Sequence, residues 1–310
     1  MTQSSSHSLA AQRSAELLGE TAAPKARFAD YLELTKPRLS FLSVITTLVG
    51  YLAARPIHDG WRLFHLMAGT ALAAGGAAAL NMWLEAETDA HMKRTMTRPI
   101  PAGKIATGSA FVLGCFLAMG GTLEISLRVN GVAALFAAAT VLSYILVYTP
   151  SKKWSRWSTE IGAISGALPP LIGWTAAESH VTTLGWILFA LLFLWQIPHF
   201  MAVAWMYRKD YATVHFPMLP VIDPKGTQVA RWSLINALLL VGVTLLPVPL
   251  GFCTTYYGCA ALVLGAWFLW RAIVFLRPEG REAAARKLFF ASIIYLPVLL
   301  AALVADRMLF

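Results

Sequence analysis

Nine long apolar stretches dominate the chain, near residues 39–54, 63–82, 105–125, 130–148, 159–177, 181–206, 228–250, 254–276 and 288–306. Most reach the ~20 residues an α-helix needs to cross the hydrocarbon of a bilayer. With no water there, each backbone N–H and C=O must find its partner within the segment, so such runs must be helical. Only 13% of the 310 residues are charged, about half the ~25% usual in soluble domains. The expectation is an all-α polytopic membrane protein with about nine transmembrane helices. Three cysteines, Cys115, Cys253 and Cys259, form no C-x-x-C pair and read as small buried apolar residues.

The basic residues orient this bundle. Twenty-one of the 25 Lys and Arg fall in the N-terminal tail and in alternate connections, leaving only Arg55, Arg62, Arg128 and Arg307 for the other side. Cytoplasmic loops carry that excess, so the N-terminus is expected in the cytoplasm and the C-terminus outside, in a cell inner membrane. The same bias accounts for most of the net charge of +9 without nucleic acid as a partner. Residues 1–27 are polar and lack an apolar core, and read as a disordered tail. Residues 28–310 read as a single transmembrane domain.

Between the second and third stretches lies NMWLEAETDAHMKRTMTRPIPAG, residues 81–103. Asn81, Glu85 and Asp89 stand four apart, and such a series drifts only ~80° around a helix. If the second helix continues past its apolar run, the three side chains share one side, with Lys93 extending the row and Glu87 off it. Ionisable groups this close to hydrocarbon are costly and usually functional, although a solvated helix end is the competing reading. An amide and two carboxylates suit Mg²⁺, which takes oxygen ligands and commonly binds through carboxylates together with substrate phosphates. Lys93, Arg94 and Arg98 would hold phosphate oxygens directly, the arginines in bidentate fashion. The chemistry implied is departure of a diphosphate, with an organic cation forming behind it. A second polar loop, WMYRKDYATVHFPMLPV, sets Arg208, Lys209 and Asp210 beyond the sixth stretch. They either anchor a helix end or add a carboxylate for Mg²⁺ and two cations for diphosphate.

Asn81-x-x-x-Glu85-x-x-x-Asp89 followed by Lys93-Arg94-Thr95-x-x-Arg98-Pro99 resembles the first aspartate-rich motif of the UbiA superfamily of intramembrane prenyltransferases. LTKPRLSFLSVITTLVGY (34–51), GAISGALPPLIGWTA (162–176) and LFLWQIPHFMAVAWMYRKDYATVHFPMLPV (192–221) are similar to the branch that farnesylates protohaem IX. That branch usually has Asp at the middle motif position, where this chain has Glu85.

The resemblance implies a UbiA-type bundle and transfer of farnesyl from farnesyl diphosphate to a vinyl group of haem B, giving haem O for terminal oxidases. It implies Mg²⁺ at Asn81, Glu85, Asp89 and Asp210 as the catalytic set, and diphosphate at Lys93, Arg94, Arg98, Arg208 and Lys209. His199, one turn from Gln196 beside Pro198, either meets haem or bonds to a neighbouring helix. Lys36 and Arg38 either anchor the start of the first stretch or bind haem propionates or diphosphate, and Lys152 and Lys153 are topology signals or a ring around either anion. Tyr144, Tyr148 and Trp83 would shield an allylic cation. Membrane lipid is a partner, and a haem A synthase or terminal oxidase assembly partner is a further expectation. Two other readings share these residues. A sister prenyltransferase would use an aromatic quinone precursor as acceptor. A cation transporter would instead carry its acids and broken helices near mid-span.

Overall fold

The computed structural model describes residues 26–54 and 59–310. The expected tail, residues 1–27, lies outside the described residues except for its last two. The described chain is helical throughout. A short helix α1 (Phe28–Leu34) precedes α2 (Pro37–Ala54), α3 (Gly60–His91) and α4 (Thr107–Arg128). Helix α5 (Gly131–Leu142) runs through a π-helical turn, Ser143–Tyr148, into Thr149–Ser151. There follow α6 (Ser158–Ala167), α7 (Pro169–Glu178), α8 (Thr183–Met206), the short α9 (Arg208–Thr213) and α10 (Leu219–Ile222), then α11 (Thr227–Leu245), α12 (Thr255–Phe275) and α13 (Arg281–Leu309).

Eight of these segments are long and apolar enough to cross a membrane. The ninth apolar stretch, 159–177, is present as α6 and α7 end to end. Pro169 and Pro170 lack the N–H groups that would close the next turn, so the helix breaks at Leu168. The protein is a multi-pass membrane protein, and its outer surface agrees. Phe116 and Met119 are 73% and 72% exposed, tolerable only where lipid covers them. The cysteines depart from expectation. Cys115 and Cys253 are half-buried and Cys259 is exposed; Cys115 and Cys259 lie on helices, and Cys253 lies in the connection between α11 and α12.

Small residues let the helices approach closely, as in membrane bundles generally. A Cβ at Gly173 of α7 would collide with the Thr47 carbonyl of α2, and one at Gly50 with the Pro170 carbonyl. Thr47 Oγ1 donates to Pro169 O at 3.0 Å across the same contact. At one end of the bundle Asp306 of α13 accepts from Thr254 N at 2.8 Å, and Arg307 Nε donates to Ala53 O at 3.2 Å. At the opposite end lie α1, the end of α3, the segment after α5, and α9, together with most of the basic residues. This charged end holds the site.

Candidate active site

Helix α3 does run past its apolar segment, to His91. Asn81, Glu85 and Asp89 are all buried on one face, as their spacing predicts. The helix stops where Thr95 Oγ1 donates to Asp89 O at 2.9 Å, which turns residues 92–106 back over the helix end.

Each member of the row meets a cation from a different segment. Lys36 Nζ, between α1 and α2, donates to Asn81 Oδ1 at 2.5 Å. Lys152 Nζ, just beyond α5, donates to Glu85 Oε1 at 2.6 Å. Arg98 Nη1 pairs with Asp89 Oδ2. Asn81 Nδ2 also donates to Thr149 Oγ1 at 3.1 Å, and Thr149 Oγ1 to Tyr144 O at 2.8 Å. The Thr149 N–H likewise reaches back to Tyr144 O. These bonds belong to the π-helical turn, a form common at functional sites.

The electrostatics of the pairs differ. Burial and the neighbouring Arg98 guanidinium push the Lys36 ammonium down to about 7. Burial also draws Lys152 down, but Glu85 more than offsets this and holds the ammonium well above its usual range. Lys152 further lies 4.5 Å from the Tyr148 ring centroid. The Asp89 carboxylate retains a buried oxygen, Oδ1, that accepts no hydrogen bond from the described residues.

This donor set fits Mg²⁺. It consists of oxygens alone, one of them unspent and buried. Among the described residues no three His, Cys, Asp or Glu side chains gather into a metal-binding cluster. A cation here would therefore depend on an amide, two carboxylates and substrate oxygens, the usual arrangement for Mg²⁺ on a phosphate ester.

The other expected residues are dispersed. Arg94 bridges the two polar loops. Its guanidinium lies 5.2 Å from the Tyr207 ring and 5.9 Å from the Tyr211 ring. Arg208 pairs with Glu282 of α13 at 2.6 Å and stacks 4.1 Å from the Trp205 ring. Lys93, Lys209 and Arg38 are exposed, and Asp210 is half-buried on α9. Trp83 packs against Phe111 of α4, with ring centroids 4.7 Å apart, whereas Tyr144 and Tyr148 remain paired beside the row at 5.3 Å.

His199 and Gln196 face different neighbours. Gln196 Nε2 donates to Ala163 O of α6 at 3.3 Å. His199 Nδ1 lies 2.7 Å from Ser292 Oγ of α13, and its ring stacks on Trp195. Ser292 Oγ spends its own proton on Phe289 O at 2.5 Å. It must therefore accept from Nδ1–H, which leaves Nε2 with the lone pair.

Sequence reasoning missed Thr149 and Tyr211, and it did not foresee that Lys36 and Lys152 would meet the acidic row. The strings TKPR and YTPSKKW hold those two lysines, but nothing in them indicates their partners.

Bundle and charged end together define a class, a helical membrane protein with a buried cluster of oxygen donors and cations at one end, a donor set of the chemistry that suits a diphosphate. Residues 43–294 match the UbiA prenyltransferase family, and the chain belongs to that family. It is 62% identical over 291 residues to a protein of Opitutus terrae named protoheme IX farnesyltransferase, covering 94% of this chain and 99% of the relative. A protein of the same name from Solibacter usitatus is 42% identical, with 90% and 98% covered. Among solved structures, a digeranylgeranylglyceryl phosphate synthase superposes with a TM-score of 0.77 at 19% identity, covering 91% of this chain and 99% of that one. A UbiA homolog from Archaeoglobus fulgidus bound to GPP and Mg²⁺ superposes with a TM-score of 0.60 at 13% identity, with 88% and 99% covered.

Proposed function

We propose that this chain transfers the farnesyl group of farnesyl diphosphate to a vinyl group of haem B, releasing diphosphate and giving hydroxyethylfarnesyl haem, haem O. The observation that carries this reading is the full-length likeness to relatives named for that reaction. The site supports its diphosphate half. Asn81, Glu85 and Asp89 would hold Mg²⁺, which neutralises diphosphate oxygens when bound. Lys36, Lys152 and Arg98, which contact the row, would grip the remaining oxygens together with Arg94, Lys93, Lys209 and Arg208. Asp210 of the second loop would complete the acidic set. Tyr144 and Tyr148 present ring faces to the allylic cation as the C–O bond opens.

On the acceptor side, His199 offers an unprotonated Nε2, the form that ligates iron. Removing it should raise the KM for haem far more than that for farnesyl diphosphate and shift the visible spectrum of bound haem. An unchanged haem KM and spectrum would restrict His199 to its bond with Ser292.

The charged end faces the cytoplasm in this reading, with the C-terminus outside and the bundle in the inner membrane. The whole reading is tested by incubating purified protein with haem B, farnesyl diphosphate and Mg²⁺. Haem O is expected. Prenylation of an aromatic quinone precursor, with haem left unchanged, would overturn it.

A further inference from the structure

We propose that Tyr211 donates a hydrogen bond to the departing diphosphate, which makes it a catalytic residue supplied by the second polar loop. The proposal rests on the diphosphate reading above and adds a group that belongs neither to the acidic motif nor to its cations.

Tyr211 is held firmly. It lies on α9, where its N–H donates to Tyr207 O at 3.2 Å, and its carbonyl accepts from Phe216 N at 3.2 Å. Its ring stacks on Phe216 with centroids 6.4 Å apart and packs beside the buried Ala204, Phe216 and Met218. The hydroxyl therefore has little freedom of position.

One contact ties that hydroxyl to the candidate site. It accepts from Arg94 Nη2 at 3.5 Å, and Arg94 belongs to the segment that folds back over the end of α3. Because the oxygen is an acceptor in the Arg94 bond, its own proton is not used there, and that proton has no acceptor among the described residues. A phenol with an unspent proton beside the Arg94 guanidinium is a neutral donor for an anion that Arg94 would hold. Such donors contribute most where charge grows during the reaction, here on the oxygen released as the C–O bond breaks. Its strength then appears mainly in the transition state.

The alternative is that the ring merely plugs the gap between the two loops. Tyr211→Phe separates the two, because it removes the hydroxyl and its bond from Arg94 while keeping the ring, the Phe216 stack and the ring's own contact with the Arg94 guanidinium. Arg94→Ala, which removes the Arg94 partner and leaves the phenol, separates direct donation from positioning of Arg94. Purified full-length protein would be assayed with farnesyl diphosphate, Mg²⁺ and haem B. Tyr211→Phe should lower kcat about 10- to 100-fold, with little change in KM for farnesyl diphosphate, in binding of inorganic pyrophosphate or in Tm. The defect should shrink with a farnesyl donor whose leaving group is a weaker base. A variant within twofold of wild-type kcat, or one that loses Tm and not kcat, overturns the proposal while the prenyltransferase reading stands. Wild-type protein that releases no diphosphate overturns both.

Discussion

Asp89 shows how a single carboxylate is placed for chemistry. One oxygen is engaged by Arg98 and the other is buried without a hydrogen-bond partner among the described residues, an arrangement that costs stability and that a bound cation would relieve. Asp89→Ala should cut turnover by at least ~10²-fold, the scale for losing one electrostatic stabiliser of a leaving group, while the protein still inserts. Haem O formation near the wild-type rate in well-expressed Asp89→Ala would remove Asp89 from the site.

Lys152 and Glu85 are both largely buried, with side chains 15% and 10% exposed. Removing one partner of such a pair strands the other and costs about 3 kcal/mol. Lys152→Met should therefore lower Tm. Adding Glu85→Gln should recover much of it without restoring turnover, since the carboxylate is then gone. A double variant no more stable than Lys152→Met would mean that the two side chains do not depend on each other. The partners are 67 residues apart in sequence, which explains why one half of this pair was legible and the other was not. Four-residue spacing puts Asn81, Glu85 and Asp89 on one face by helix geometry alone. Which lysine arrives opposite Glu85 depends on how α3 packs against α5, and no local pattern encodes that.

Among the elements, the α6–α7 break is the least regular. Its apolar content was readable as one span, and the Pro169-Pro170 pair sits where the helix fails. What the sequence could not reveal is that α2 packs against this break, with the Thr47 hydroxyl on the Pro169 carbonyl. The close approach makes the contact intolerant of volume. Gly173→Val should destabilise the protein by about 1–3 kcal/mol or more, because the atoms it meets are backbone and cannot swing away. Thermal unfolding in detergent measures this directly, and an unchanged Tm would show that α2 and α7 can separate at little cost. Helix α8 illustrates a different limit. Gln196 and His199 look like one polar face in sequence, yet their side chains bond to α6 and α13 respectively.

At the scale of the molecule, the basic residues and the acidic row share one end. Among the described basic residues only Arg62, Arg128 and Arg307 occupy elements of the opposite end. In a background with the three native cysteines replaced, a cysteine at Lys93 should be labelled by an impermeant thiol reagent only in inverted vesicles. One at Arg128 should be labelled only in right-side-out spheroplasts. The reverse result would turn the protein over, and equal labelling would break the bundle assignment. The charge bias yields an expectation for orientation without any contact being known, because it is a property of whole loops and survives ignorance of their shape; the labelling experiment decides it.

The three cations that meet Asn81, Glu85 and Asp89 also bear on how the protein is made. An acidic helix end left bare would resist leaving water and would tie insertion to the supply of divalent ions. Here the counter-charges are encoded in the same polypeptide and come from segments on either side of α3. On the Mg²⁺ reading proposed above, maturation should run to completion in a cell short of the ion, with scarcity showing as idle enzyme rather than as lost enzyme. Immunoblots of membranes from magnesium-limited cells should find the protein at its usual level, with activity returning when the ion is added to the isolated membranes. A protein degraded under those conditions would show that its own lysines and arginines do not suffice.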